Sequence, residues 1–102
     1  MKEKRKEQID IELTEEVAEG TYSNLVLINH SSSEFVMDFI RVMPGTPKAK
    51  VKSRIVLTPQ HAKRLLRALG DNIATFESDN GSIDDEDPPV LPFHLGGPAG
   101  EA

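Results

Sequence analysis

Apolar residues recur with a period of two along four stretches of the chain and with helical spacing along a fifth. Ile9, Ile11 and Leu13 alternate with Asp10 and Glu12, the pattern of a first, half-buried strand. Glu19-Gly20 offers a turn, and residues 22–30 predict a second strand around Leu25-Val26-Leu27-Ile28. Ser31-Ser32-Ser33 leads into a third, residues 34–43. Successive side chains of a strand point to opposite faces, so Phe35, Met37 and Phe39 share one face while Val36, Ile40 and Val42 share the other. Both faces are apolar. The chain's own helix can cover only one face of an open sheet, so the other calls for a second subunit. Phe35, Val36, Met37, Phe39, Ile40 and Val42 are therefore the candidate oligomer interface.

Pro44-Gly45-Thr46-Pro47 has the composition of a tight connection, since Pro presets one turn dihedral and Gly tolerates a positive one. A fourth strand follows over residues 48–57. Lys48, Lys50, Lys52 and Arg54 alternate there with Ala49, Val51, Ser53 and Ile55, which predicts a basic face. Thr58-Pro59 is a helix start: Thr accepts a free backbone N–H as N-cap, and Pro at the first helical position loses a donor that has no partner there anyway. Ala62, Leu65, Leu66, Leu69, Ile73 and Phe76 then form one apolar stripe, which predicts a helix over 59–77 with Asn80-Gly81 as its stop. Gly70 inside it costs about 1 kcal/mol relative to Ala, which points to close packing on the sheet or a slight bend. The predicted fold is α+β, a four-stranded antiparallel β-meander followed by one amphipathic α-helix. Residues 1–7 are expected to be a flexible N-terminus, 8–83 the domain, and 84–102 a disordered acidic tail rich in Pro and Gly.

Charge changes this picture more by its distribution than by its total. The 102-residue chain carries a formal charge of −5. Residues 20–78 nevertheless hold eight basic and four acidic side chains, whereas residues 79–102 hold six acidic and no basic ones. The expected domain is thus positive, and an acidic pI does not exclude a polyanion partner. Lys48, Lys50, Lys52 and Arg54, with Lys63, Arg64 and Arg67 on the helix, are the candidate nucleic-acid-binding set. Strand residues two apart rise about 6.6 Å, comparable to the phosphate spacing of an extended single strand. Edge-strand lysines that prevent sheet-to-sheet aggregation give the same pattern. Aromatic platforms for base stacking are scarce, because Tyr22, Phe35, Phe39 and Phe76 are the only aromatic side chains before residue 79, apart from histidines.

The chain has no cysteine, which removes disulfides, thiolate catalysis and thiolate metal sites. Its three histidines, His30, His61 and His94, lack metal-ligand spacing. The serines at 31–33 lack a nucleophile-elbow setting, and no phosphate-binding glycine loop is present. Asp38 interrupts an apolar strand face, which suggests either a carboxylate paired with Arg54 or Arg41 or an exposed edge position. With no neighbouring carboxylate or base, its expected role is structural. No cofactor, metal or catalytic centre is expected. The charged start MKEKRKEQID and the lack of a membrane-length apolar run imply a cytoplasmic address.

Tyr22-Ser23-Asn24, Glu34 through Phe39, and Ser53-Arg54-Ile55-Val56-Leu57-Thr58-Pro59-Gln60-His61-Ala62-Lys63-Arg64-Leu65-Leu66 together resemble a small prokaryotic family catalogued as domain of unknown function 3467. Ala68-Leu69, Asn72-Ile73 and Glu77 extend the resemblance, which implies no activity. In architecture, four strands and a helix are also similar to the repeat of Whirly-type and purine-rich-element-binding proteins, which implies oligomers that bind single-stranded nucleic acid. Two functions are therefore expected as alternatives. The first is a non-enzymatic homo-oligomeric domain for protein assembly or adaptor binding. The second is a single-stranded nucleic-acid binder with an acidic autoinhibitory tail.

Overall fold

The computed structural model describes residues 8–85. The expected N-terminus, residues 1–7, and all but the first two residues of the expected tail, 84–102, lie outside them. The fold is α+β, with a three-stranded antiparallel sheet in the order β1-β2-β3 rather than four strands. The strands are β1 (Leu25–His30), β2 (Phe35–Arg41) and β3 (Lys50–Leu57). A one-turn helix, α1 (Glu15–Ala18), precedes them, and a 22-residue helix, α2 (Pro59–Asn80), follows.

The predicted first strand does not form. Alternation suits a segment to a sheet only if a free edge takes it up, and residues 8–14 pair with none. Instead Thr14 caps α1, its hydroxyl accepting from Val17 N–H, with Glu15 and Glu16 favourably placed at the positive end of the turn. Gly20, at φ 80°, then turns the chain toward β1. Ile9, Ile11 and Leu13 are left exposed.

The β1–β2 hairpin closes through Ser31 N–H donating to the Glu34 carbonyl, and the β2–β3 turn through Thr46 N–H donating to the Met43 carbonyl, with Gly45 at φ 80°. β2 and β3 are in simple register from Phe35↔Leu57 to Phe39↔Ser53, after which the pairing shifts so that Ile40 faces Val51 and Arg41 faces Lys50. Lys52 is the extra residue of a β-bulge.

Directly paired residues share a face. One face carries Leu25 and Leu27 with Val36, Asp38, Ile40 and Arg54. The other carries Val26, Ile28, Phe35, Met37, Phe39 and Ile55. Among the described residues only Val36, Met37 and Ile40 are buried hydrophobics, all on the central strand.

The helix begins and ends as its sequence dictates. Thr58 Oγ1 accepts from His61 N–H at 3.2 Å, Pro59 occupies the first turn, and Gly81 at φ 92° donates its N–H to the Glu77 carbonyl. The helix runs three residues past the expected end, and the Glu77 carboxylate also accepts from Ile83 N–H. No residue of α2 is buried. Gly70 has no neighbour that an added Cβ would meet, so its helical position reflects no close packing within the chain.

Candidate functional site

Asp38 is the one buried charged residue among those described, 1% exposed at the centre of the sheet. It lies directly across from Arg54, whose Nε donates to one carboxylate oxygen at 2.6 Å and whose Nη2 donates to the other at 2.7 Å. This two-pronged geometry is the strongest form of the guanidinium–carboxylate pair. The hydrogen bonds from Arg54 hold the Asp38 carboxyl below its ordinary value against an opposing push from burial, and the attraction of the positive charge adds to the lowering. The same contacts raise the guanidinium pKa. An ionised carboxylate with both oxygens engaged is poorly suited to proton transfer at neutral pH, which requires a pKa near that pH. Asp38 therefore orders the sheet, paired with the first of the two arginines that its sequence context suggested.

The basic set divides. Arg54 sits with Asp38 on one face, while Lys50, paired with Arg41, lies on the other, because the bulge at Lys52 breaks the alternation between them. Lys48, Lys50 and Lys52 instead join Arg41 around a shallow depression of about 230 Å³, with Met43 and Thr46 completing its wall. That volume falls just below the roughly 300–1,000 Å³ of small-molecule sites, and an open surface lined by four cations suits an extended anion better. Lys63, Arg64 and Arg67 are exposed on α2, off its apolar stripe.

The candidate interface divides too. Phe35, Met37 and Phe39 lie on the sheet face opposite the ion pair, and Val36 and Ile40 lie beside it. Val42 falls beyond the end of β2, where Asn24 replaces a strand neighbour: its amide oxygen accepts from Val42 N–H at 2.8 Å, and its amide nitrogen donates to the Val42 carbonyl at 3.0 Å. Ser23 Oγ donates to the Leu25 and Ile40 carbonyls alongside. His30 stacks on Phe35 at 5.3 Å between ring centres. Among the described residues no three His, Asp or Glu side chains come together as a metal site, and no helix is long and apolar enough to cross a membrane.

A family of proteins of unknown function, DUF3467, matches residues 1–85. The chain belongs to the DUF3467 family. No curated protein and no solved structure matches it. Several residues that carry the DUF3467 resemblance have structural tasks: Ser23 and Asn24 close the open end of the sheet, Asp38 and Arg54 lock its centre, and Thr58 starts the helix. The Ser23–Asn24 clamp has no signal of its own in the sequence, since a Ser-Asn pair beside an apolar run also has the pattern of a strand start. The architectural likeness to four-stranded repeats loses its first strand.

Proposed function

We propose that this DUF3467 protein is a non-enzymatic, self-associating domain of the cytoplasm that works through protein assembly, as an oligomer or an adaptor. One observation carries the reading. Seventeen large hydrophobic side chains are exposed among the described residues, against three hydrophobic residues that are buried. A monomeric soluble protein seldom leaves contiguous apolar surface beyond a few hundred Å². Here the exposed set includes Val26, Ile28 and Ile55 on one sheet face and Leu65, Leu66, Leu69, Ile73 and Phe76 along α2. A three-stranded sheet and one helix cannot supply enough burial alone, and association is the usual remedy for a small chain. Light scattering coupled to size exclusion tests this directly. A multimer is expected at micromolar concentration, and a stable, folded monomer there would refute it.

A second reading is favoured by the depression that gathers Arg41, Lys48, Lys50 and Lys52. Four cations around an open concavity could track the backbone of single-stranded DNA or RNA, with the acidic residues after Asp84 competing for the same surface. Binding of an oligonucleotide should then weaken steeply with salt and strengthen when residues 84–102 are removed. A truncated protein that ignores oligonucleotides at low salt would discard this reading and leave the first untouched.

A further inference from the structure

The helix and the sheet of one chain offer each other complementary surfaces that they do not use. Leu65, Leu66, Leu69, Ile73 and Phe76 lie along one side of α2 and remain 41%, 70%, 53%, 40% and 51% exposed. Their approximate 100° rotation per residue keeps them within a single stripe. On the sheet, the face built from Val26, Ile28, Met37, Phe39 and Ile55 is charged only at its hairpin end, where Arg41 and Lys50 pair. Val26, Ile28 and Ile55 on it are 40%, 58% and 42% exposed. Met37 at the middle of that face is already buried, so the apolar surface left to cover is that of Val26, Ile28 and Ile55 around it.

The connection explains why they do not meet within the chain. β3 ends at Leu57 and α2 begins at Pro59, so a single residue, Thr58, joins them. Its backbone is extended at φ −71° and ψ 160°, its side chain is committed to the helix cap, and the next φ is fixed by proline. Connections that lay a helix against the sheet of its own unit commonly take about 2–6 residues. A rigid one-residue hinge instead carries the helix onward, and its 22 residues extend it about 33 Å. Short hinges of this kind favour exchange of an element between identical chains.

Resting on the self-association proposed above, we infer that the partner is a second copy of this chain and that the two copies exchange helices. The α2 stripe of each lies across the Val26–Ile28–Ile55 face of the other's sheet. The contact is isologous and closes at two chains. This face is the better receiver, because a helix laid over the opposite face would strip water from the guanidinium of Arg54, which is 38% exposed, whereas here the charges of Arg41 and Lys50 are confined to the hairpin end. Lys63, Arg64 and Arg67 point away from the stripe and stay in water.

The absence of native cysteine allows a clean test in the full-length chain. Leu66→Cys and Ile28→Cys are made singly and together, at positions exposed within one chain, and treated with a short bismaleimide. Helix exchange predicts that a mixture of the two single variants yields a covalent heterodimer linked from residue 66 to residue 28. It also predicts that the double variant is linked between chains. A double variant linked within one chain, a product linked only from Leu66→Cys to itself, or no 66–28 product would each overturn the exchange.

Light scattering on the same samples separates the two levels. A dimer that fails the cross-link test leaves self-association standing, whereas a folded monomer removes both. Independently, four flexible residues inserted between Leu57 and Thr58 should let α2 reach its own sheet and raise the dimer dissociation constant at least about tenfold, with helix content by circular dichroism unchanged. Unchanged dimer affinity would count against the exchange.

Discussion

The centre of the sheet and the long helix are built to opposite standards within one small chain. Around Asp38, each polar group has a partner in the same molecule: Arg54 takes both carboxylate oxygens, and Ser23 and Asn24 satisfy the backbone where β2 runs out. Along α2, the two ends are capped as carefully, yet the apolar side that gives the helix a reason to exist touches little of its own chain. Local rules are satisfied in both regions, but tertiary burial is satisfied only in the first. Helical stability in proteins comes mostly from packing an amphipathic face. The sheet centre is therefore finished within the chain, whereas the apolar side of the helix is left uncovered by it.

The largest effect that would break this contrast is expected from Leu69→Asp, at the middle of the stripe. In an isolated chain the substitution falls on a half-exposed helix surface and costs little. In an assembly it places an unpaired carboxylate in an apolar contact, and the dissociation constant measured by analytical ultracentrifugation should rise at least about a hundredfold, equivalent to about 2.7 kcal/mol. An unaltered constant would mean that the stripe is not covered.

Asp38→Asn should act on the fold instead. It leaves Arg54 without its countercharge and strains a buried hydrogen-bonded pair, so chemical denaturation should show a loss of about 1–3 kcal/mol, toward the lower figure because the guanidinium can partly return to water. A loss below measurement would show that the pair is dispensable.

The same pair sets an acid limb. The folded carboxyl titrates below the ordinary value of 3.8, so its contribution is present in full above that value and disappears as pH falls through the lowered one. Stability of the wild-type chain should therefore fall more steeply than that of Asp38→Asn below about pH 3.8. Parallel acid profiles would remove the pair from the account.

The smallest effect sharpens the comparison most. Gly70→Ala has open space around it within the chain and should raise stability by roughly 0.5–1 kcal/mol through helix propensity alone. A loss instead of a gain would reveal a partner approaching closely at Gly70.

The parts of the fold that were legible in the sequence are those determined locally. Thr58-Pro59 and Asn80-Gly81 mark the helix ends because capping chemistry sits in a few adjacent residues. Three strands and the turn at Pro44-Gly45 follow from period-two patterning and φ preferences. The features that depart from the sequence pattern depend on pairing. Ile9, Ile11 and Leu13 have the right alternation but pair with neither edge of the sheet, and α1 competes immediately after them. The lysine ladder was expected to share a face, but a strand's faces are defined by its register against a neighbour, and no single-strand pattern announces the extra residue at Lys52. The Asp38–Arg54 pair was half legible: a carboxylate in an apolar run demanded a cation, and only the register chose between two arginines.

That extra residue also limits how the protein can grow. β3 is an edge strand, and an edge with regular alternation is a template onto which further strands add without end. A bulge twists that edge and interrupts its row of hydrogen-bonding groups, and Lys50 and Lys52 repel a like neighbour. Strand addition at that edge is therefore disfavoured, whereas β1, the sheet's other edge, pairs without a shift in register. One irregular residue thus leaves any strand addition a single regular edge, that of β1, and pairing of identical chains through one edge ends at two.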